Sequence, residues 1–382
     1  MDDALIYLDH HATTPCDPAV VAAMLPHFAE TFGNASSTTH VLGRQAAAAV
    51  AEARADIARA IGGSPRELVF TSGTTEALNL ALFGVMESYA ERGRHLVTTT
   101  IEHPAVLDTC AALEARGVEV TYVGVGSDGV VDPDDLRRAL RPDTVCAAVM
   151  AANNEIGTLQ PLAEIGAACR EAGVRLLVDA AQAVGKVPFD VNAVGADLVA
   201  FSAHKLYGPK GVGALYVRRR PRVVLEARIH GGGHERGMRS GTLNVPGIVG
   251  FAAACRVAGE RREADAERIG GLRDRLLAGL RAELDDVRVN GTLERRLPNN
   301  LNVSFAGVEG RRLIDALDGV ALSAGSACSS ADLEASHVLR AIGVGDDRLY
   351  ASLRFGLGRS NTAEQIDAVV ERVVAAVRRL RR

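Results

Sequence analysis

The chain has 382 residues, enough for a large core and, as a length prior, two domains. Apolar residues make up 47% and charged residues 24%, the balance of an ordinary globular protein, and a net charge of −4 gives no global attraction to nucleic acid or to an anionic membrane. No apolar run approaches the roughly 20 residues of a spanning helix, and the N-terminus "MDDALIYLDHH" carries acid where an export signal carries base, so a cytoplasmic protein with no nucleic-acid and no membrane partner is expected.

In chain order, apolar runs rich in strand formers alternate with amphipathic stretches. They are "ELVFTSG", a helix from about Thr75 to Glu87, "HLVTTT", a helix after Pro104, "VEVTYVGV", "TVCAAVMA", a helix from Leu162 to Glu171, "VRLLVDA", "DLVAFSA" and "GVGALYVRR". Strand and helix repeated this often predict an α/β fold with a mostly parallel sheet flanked by helices. Near Gly259 the pattern changes to a long charged helix, "ERREADAERIGGLRDRLLAGLRAEL", followed by shorter mixed elements. A boundary there predicts a large domain at 15–258 and a small α/β domain built from 1–14 and 259–382. The arginine runs "VRRRP" and "RRLRR" read as solvated element ends.

Ligands of such sheets gather at the carboxyl ends of strands, so the polar residues after each run are the ones to collect. After "LVF" comes "TSGTTEA", where Gly73, Thr74 and Thr75 open a helix; this is either an anion cradle of backbone N–H groups or a plain cap by a threonine. "IEHP" brings His103, which as a lone histidine is more often structural. "ANNEIG" brings Asn154, and "DAAQAVG" brings Asp179 and Gln182, with a helix cap as the plain alternative for the aspartate. "FSAHKLYGPKG" brings Lys205 behind a buried strand. A desolvated lysine loses its proton readily and becomes the nucleophilic amine that Schiff-base chemistry requires. A Schiff-base lysine, an acid for a pyridine nitrogen and an anion cradle are the parts of one pyridoxal-phosphate site.

The six cysteines (Cys16, Cys110, Cys146, Cys169, Cys255 and Cys328) include no C-x-x-C pair, so neither zinc nor a disulfide framework is expected. Five lie in apolar or helical contexts. Cys328 lies in "SAGSACSSAD", a run of small residues that reads as a loop suited to a thiol that must meet a substrate and carry sulfur away.

The segments "YLDHHATTP", "FGNASSTTH", "FTSGTTEALN", "TTIEHPAV", "NNEIGTLQP", "VDAAQAVGKVPFD", "SAHKLYGPKGVGALYVR", "HGGGHERGMRSGTLN", "LPNNLNVSF" and "SAGSACSSADLEASHVLRAIG" resemble the NifS/IscS-like cysteine desulfurases (group I) of the class V aminotransferase superfamily, fold type I, from about Tyr7 to about Arg359. The resemblance implies pyridoxal 5′-phosphate as cofactor and L-cysteine as substrate, converted to L-alanine with a persulfide left on Cys328. Lys205 would carry the Schiff base, Asp179 would face the pyridine nitrogen, and Gln182 would face the phenolic oxygen. His103 would stack on the ring and assist proton transfer. Gly73, Thr74, Thr75, Ser202 and His204 would hold the phosphate, joined by Thr242 from the other subunit of a homodimer. Asn154 and Arg354 would bind the substrate carboxylate, bordered by Asn34. No resident metal is implied; the partner would be a sulfur-acceptor protein, such as an iron–sulfur scaffold whose cluster Cys328 contacts in passing. Two departures, "LEAS" where relatives have proline after the glutamate and Gly356 where serine is common, are expected to touch loop geometry. The alternatives are a selenocysteine lyase or another class V lyase or aminotransferase, and, from another class, a non-catalytic sulfur-relay binding protein.

Overall fold

The computed structural model describes residues 5–323 and 336–382, so Cys328 lies outside the described residues. Seven strands make one sheet: β1 (Leu68–Thr71), β2 (His95–Thr99), β3 (Glu119–Val123), β4 (Thr144–Met150), β5 (Arg175–Asp179), β6 (Leu198–Ser202) and β7 (Gly213–Val217). Their spatial order is β1-β7-β6-β5-β4-β2-β3. Only β7 is reversed, antiparallel to both β1 and β6, and the other neighbours run parallel.

Side-chain alternation divides each strand between two cores, as a period of two requires. Phe70, Ala147, Val149, Leu176 and Val178 face one side with α1 (Val41–Ala60) and, further on, α4 (Leu162–Glu171). Val69, Cys146, Ala148 and Leu177 face the other, under α2 (Thr74–Ser88) and α3 (Pro104–Glu114). Both faces are covered, which is why these strands read as continuous apolar runs rather than as alternating ones.

The long helix differs from expectation. It begins not near Gly259 but at Val245, and α5 runs unbroken to Glu283, about 58 Å at 1.5 Å per residue. Its first half, including Phe251, Ala252, Ala253, Ala254 and Cys255, is buried almost all round and therefore shows no helical period. Its second half presents Ile269, Leu272, Leu276 and Leu280 along one stripe to a separate core. That core is completed by an antiparallel sheet of β8 (Val287–Val289), β9 (Asn300–Phe305) and β10 (Ser352–Gly356), by α6 (Ala363–Leu380), and by Ile6 and Leu8 from the start of the chain.

The N-terminal segment then leaves that core and runs to the carboxyl ends of the large sheet. Asp9 pairs with Gly356. A Cβ on Gly356 would come within 2.9 Å of the His10 nitrogen and of the His11 ring, so the strand admits the segment only because it has no side chain there. Gly356 was expected to touch loop geometry; it ends a buried strand instead, and what it sets is this approach.

Candidate functional site

The ends of β4, β5 and β6 open on a cavity of about 590 Å³. Its lining brings together Gly73, Thr74, Thr75, His103, Asn154, Asp179, Gln182, His204, Lys205 and Arg354 from segments far apart in sequence. Ser202 closes β6 beside them, with its hydroxyl buried and without a partner among the described residues. Thr242 and Asn34 do not join this cavity: both are exposed, and the Asn34 carboxamide accepts from the Ser36 N–H within its own turn.

At the helix end of the cavity α2 starts at Thr74 with Gly73 as its cap residue and no side-chain cap. The threonine cap entertained as the plain alternative is therefore absent. The Thr74 hydroxyl is buried with no partner among the described residues, and the first-turn N–H groups and dipole end meet the cavity. A Cβ on Gly213 would lie 2.7 Å from the Gly73 Cα, so β7 carries glycine where the cradle loop crosses it. His204 completes this end; burial and the neighbouring Lys205, Lys210 and Lys186 push its imidazole down to about 4, so it is neutral.

Asp179 is the last residue of β5. Its Oδ1 accepts from the Ala181 N–H at 3.0 Å within a turn that is not a helix; the next helix is Val191–Val194, capped by Asp190, so the plain cap is absent, and Oδ2 has no protein donor among the described residues. Burial pushes the carboxyl up, against the pull of the Ala181 N–H, His103 and Lys205. His103 both lines the cavity and has a structural role. It caps α3, its Nδ1 accepting from the Ala105 N–H at 3.0 Å. Burial holds it below its usual range, so the neutral ring carries its proton on Nε2.

Lys205 follows β6 in a single 3-10 turn and donates to the carbonyls of His11 and Ala12 at 2.5 and 2.8 Å. Burial, with Arg354 adding to it, pushes its amine down to about 8 from an ordinary 10.5, although Asp179 and Asp9 pull the other way. Between those two values the unfolded chain holds a proton that the folded chain has released, so folding stability gains with rising pH across that window. Lys205→Met should therefore raise the urea midpoint of the cofactor-free protein at neutral pH, by on the order of 2 kcal/mol in stability, with the gap closing as pH approaches the unfolded value. Urea unfolding of both proteins at about pH 7 and about pH 10 checks this.

Arg354, on β10, is fully buried. Its Nη2 pairs with Asp9 at 2.7 Å, Nη1 donates to the Asn154 carbonyl at 3.0 Å, and Nε has no partner among the described residues. A guanidinium held on two sides with a donor in reserve suits a carboxylate.

Several residues at the site escaped sequence reasoning. Asp9 and His11 stand just after the apolar "LIYL", so the strand-end rule that found Lys205 applied to them as well. Lys186, four residues beyond Gln182, donates to its Oε1 at 2.6 Å; only helical spacing within the "DAAQAVGK" turn signals it. Glu102 is buried behind the site, where desolvation pushes its carboxyl up to about 8. Among the described residues no three His, Cys, Asp or Glu side chains converge on a metal position, and no helix is long and apolar enough to cross a membrane.

Pyridoxal phosphate fits these residues. Two buried hydroxyls without partners, Thr74 and Ser202, stand with a helix N-terminus for the phosphate, Asp179 has a free oxygen for a protonated ring nitrogen, and Lys205 offers a desolvated amine for the aldehyde. The model of the aminotransferase class-V family matches residues 6–369, and the chain belongs to that family, whose cofactor is pyridoxal phosphate. The cysteine desulfurase IscS of Anaeromyxobacter dehalogenans is 55% identical over 98% of this chain and 93% of its own length. A solved NifS-like protein superposes with a TM-score of 0.91 at 38% identity, covering 97% of this chain and 98% of the other. SspA, solved in complex with cysteine, superposes with a TM-score of 0.82 at 34% identity over 92% of this chain and 98% of its own. Within its family the chain is a cysteine desulfurase, and the non-catalytic alternative is set aside.

Proposed function

We propose that the protein converts L-cysteine to L-alanine and carries the released sulfur as a persulfide on Cys328. The observation behind the proposal is the single cavity that gathers Lys205, Asp179, Gln182, His103 and Arg354. Pyridoxal phosphate supplies the electron sink that makes the substrate Cα proton removable. Arg354, which lines the cavity, takes the substrate carboxylate, with Asp9 and the Asn154 carbonyl holding the guanidinium in place. Asn154 lines the same pocket. The Lys205 amine, with its lowered proton affinity, would accept the Cα proton near neutral pH, with Asp179 set to hold the ring nitrogen and Gln182 the phenolic oxygen. His103, neutral with its proton on Nε2, lies on the cavity wall, where that N–H would assist proton transfer as a donor to the reacting sulfur.

Cys328 is favoured as sulfur carrier by the state of the other cysteines. Four of the five are buried, burial pushes all five thiols up, Cys110 and Cys169 to about 12, and none lines the cavity. Both described flanks of its segment are fastened at the site: the Ser323 carbonyl accepts from the Arg354 N–H at 2.8 Å, and the Ser336 hydroxyl donates to Glu155 at 2.5 Å.

The large domain at 15–258 and the small one from 1–14 and 259–382 are part of the same proposal, supported by the separate cores on either half of α5. So are a cytoplasmic location, a homodimer, and transfer of sulfur to an acceptor protein such as an iron–sulfur scaffold. The dimer is supported by the exposure of Leu25, Phe28 and Phe32 at 61–63% and by Thr242, which is exposed yet lies in the glycine-and-hydroxyl segment "RSGTLN". If Thr242 completes the neighbouring subunit's cradle, mixing Lys205→Ala with a cofactor-weak Thr242 variant creates hybrids with one intact site. Random pairing of equal amounts should restore roughly a quarter of parental alanine formation. No recovery after subunit exchange, confirmed by mass, rejects the shared site.

A further inference from the structure

Behind Gln182 runs a chain of buried polar side chains whose hydrogen bonds all point one way. Its far end is Arg296, 6% exposed, whose guanidinium can only donate. It donates to the Thr292 carbonyl at 2.7 Å, to the Asn290 carbonyl, and through Nη1 to Asn300 Oδ1 at 2.8 Å. With its oxygen facing a donor, the Asn300 amide must present Nδ2 on its other side, where it donates to the Glu155 carbonyl at 3.1 Å and to His11 Nε2 at 3.1 Å. Nε2 is then the acceptor of the ring. Burial, with Lys186, Arg354 and Lys205 nearby, holds His11 well below its ordinary range, so its one proton sits on Nδ1 and is donated to Gln182 Oε1 at 3.1 Å. Gln182 Nε2 gives one N–H to the His11 carbonyl at 2.9 Å; its second has no acceptor among the described residues, and the residue lines the cavity.

Lys186 also donates to Gln182 Oε1, at 2.6 Å, but it does not decide the orientation. Its proton affinity is pushed well below the usual range by burial, Lys205 and Arg354, and a neutral amine accepts as readily as it donates. The direction along the side chains comes from Arg296, which has no lone pair to offer, and it agrees with the His11 carbonyl, which can only accept from Gln182 Nε2.

We infer that Arg296, Asn300 and His11 are positioning residues that impose the amide orientation of Gln182, so that an N–H rather than a carbonyl is presented to the cofactor's phenolic oxygen. The inference rests on the role proposed above for Gln182. Through it the small sheet, which supplies Asn300 on β9, and the N-terminal segment, which supplies His11, act on a residue in the turn beyond the carboxyl end of β5. An amide donor at a phenolic oxygen draws off its charge and weakens its hold on the proton it shares with the lysine nitrogen. Losing that donor therefore raises the pH at which the lysine-bound chromophore deprotonates.

The test is a spectrophotometric pH titration of the holoenzyme without substrate, for the parent and for Gln182→Leu, His11→Gln, His11→Phe and His11→Asn. An asparagine amide overlies Nδ1 of histidine and keeps the donor to Gln182, whereas a glutamine amide overlies Nε2 and does not. The expected result is a rise in the chromophore midpoint of about one pH unit in Gln182→Leu, His11→Gln and His11→Phe, as for loss of one hydrogen bond to a charged oxygen, with His11→Asn at the parental value. If His11→Phe fails to retain cofactor, the His11→Gln and His11→Asn pair decides. A shift in Gln182→Leu with none in His11→Gln overturns the relay and leaves the role of Gln182 standing. No shift in Gln182→Leu removes that role and the relay with it. Equal shifts in His11→Asn and His11→Gln overturn the imidazole as the donor.

Discussion

Lys205→Ala is expected to lower alanine formation by about four orders of magnitude while the protein still folds and retains cofactor, because in the proposed mechanism it removes both the covalent anchor and the base for the Cα proton. The phosphate end does not depend on the lysine: the Thr74 and Ser202 hydroxyls and the first turn of α2 lie on other segments. Borohydride should accordingly fix no cofactor to the variant, although gel filtration still carries cofactor through with the protein. The rival amine is Lys186, whose Nζ sits on Gln182 and whose proton affinity is also lowered. A borohydride-stable link that maps to Lys186, or turnover above about one per cent of the parent, would reject Lys205 as the base.

The legibility of Lys205 in the sequence has a plain cause. A parallel strand buried on both faces is a short apolar run, and the first polar residues after it stand at the strand's carboxyl end, where sheets of this kind take their ligands. The same rule reached His103, Asn154, Asp179 and Gln182, and all of them line the cavity. It failed for Arg354 and Asn300, which lie inside buried strands of the other sheet; only the resemblance to the desulfurases pointed to Arg354, and nothing pointed to Asn300. It also failed for α5. A helix half covered by Gly, Ala and Phe contacts on every side has no polar face to mark its start, and the charged half alone announced itself. The reversal of β7 was equally silent, since pairing direction leaves no trace in an apolar pentapeptide.

The two reactive groups of the proposal separate in one further variant. The steps that need only the cavity are capture of the substrate carboxylate by Arg354 and removal of the Cα proton by Lys205. Neither involves a second thiol. Breaking the Cβ–S bond does: a Cys328 thiolate attacks the substrate sulfur, the S–S bond forms as the C–S bond opens, and the released electron pair stays on carbon until a proton converts it to the methyl group of alanine. A serine hydroxyl in place of the thiol is far too weak an acid to supply the nucleophile at neutral pH. The other cysteines offer no substitute, since burial pushes the Cys110 and Cys169 thiols to about 12 and those of Cys146 and Cys255 higher still, all away from the cavity. Cys328→Ser should therefore bind cofactor as the parent does and change its absorption on addition of L-cysteine. It should release alanine at less than about one hundredth of the parental rate, and intact-protein mass after brief exposure to L-cysteine should show one added sulfur on the parent and none on the variant. Near-parental alanine from Cys328→Ser would reject the persulfide route and favour a lyase acting without a protein thiol, as expected of a selenocysteine lyase.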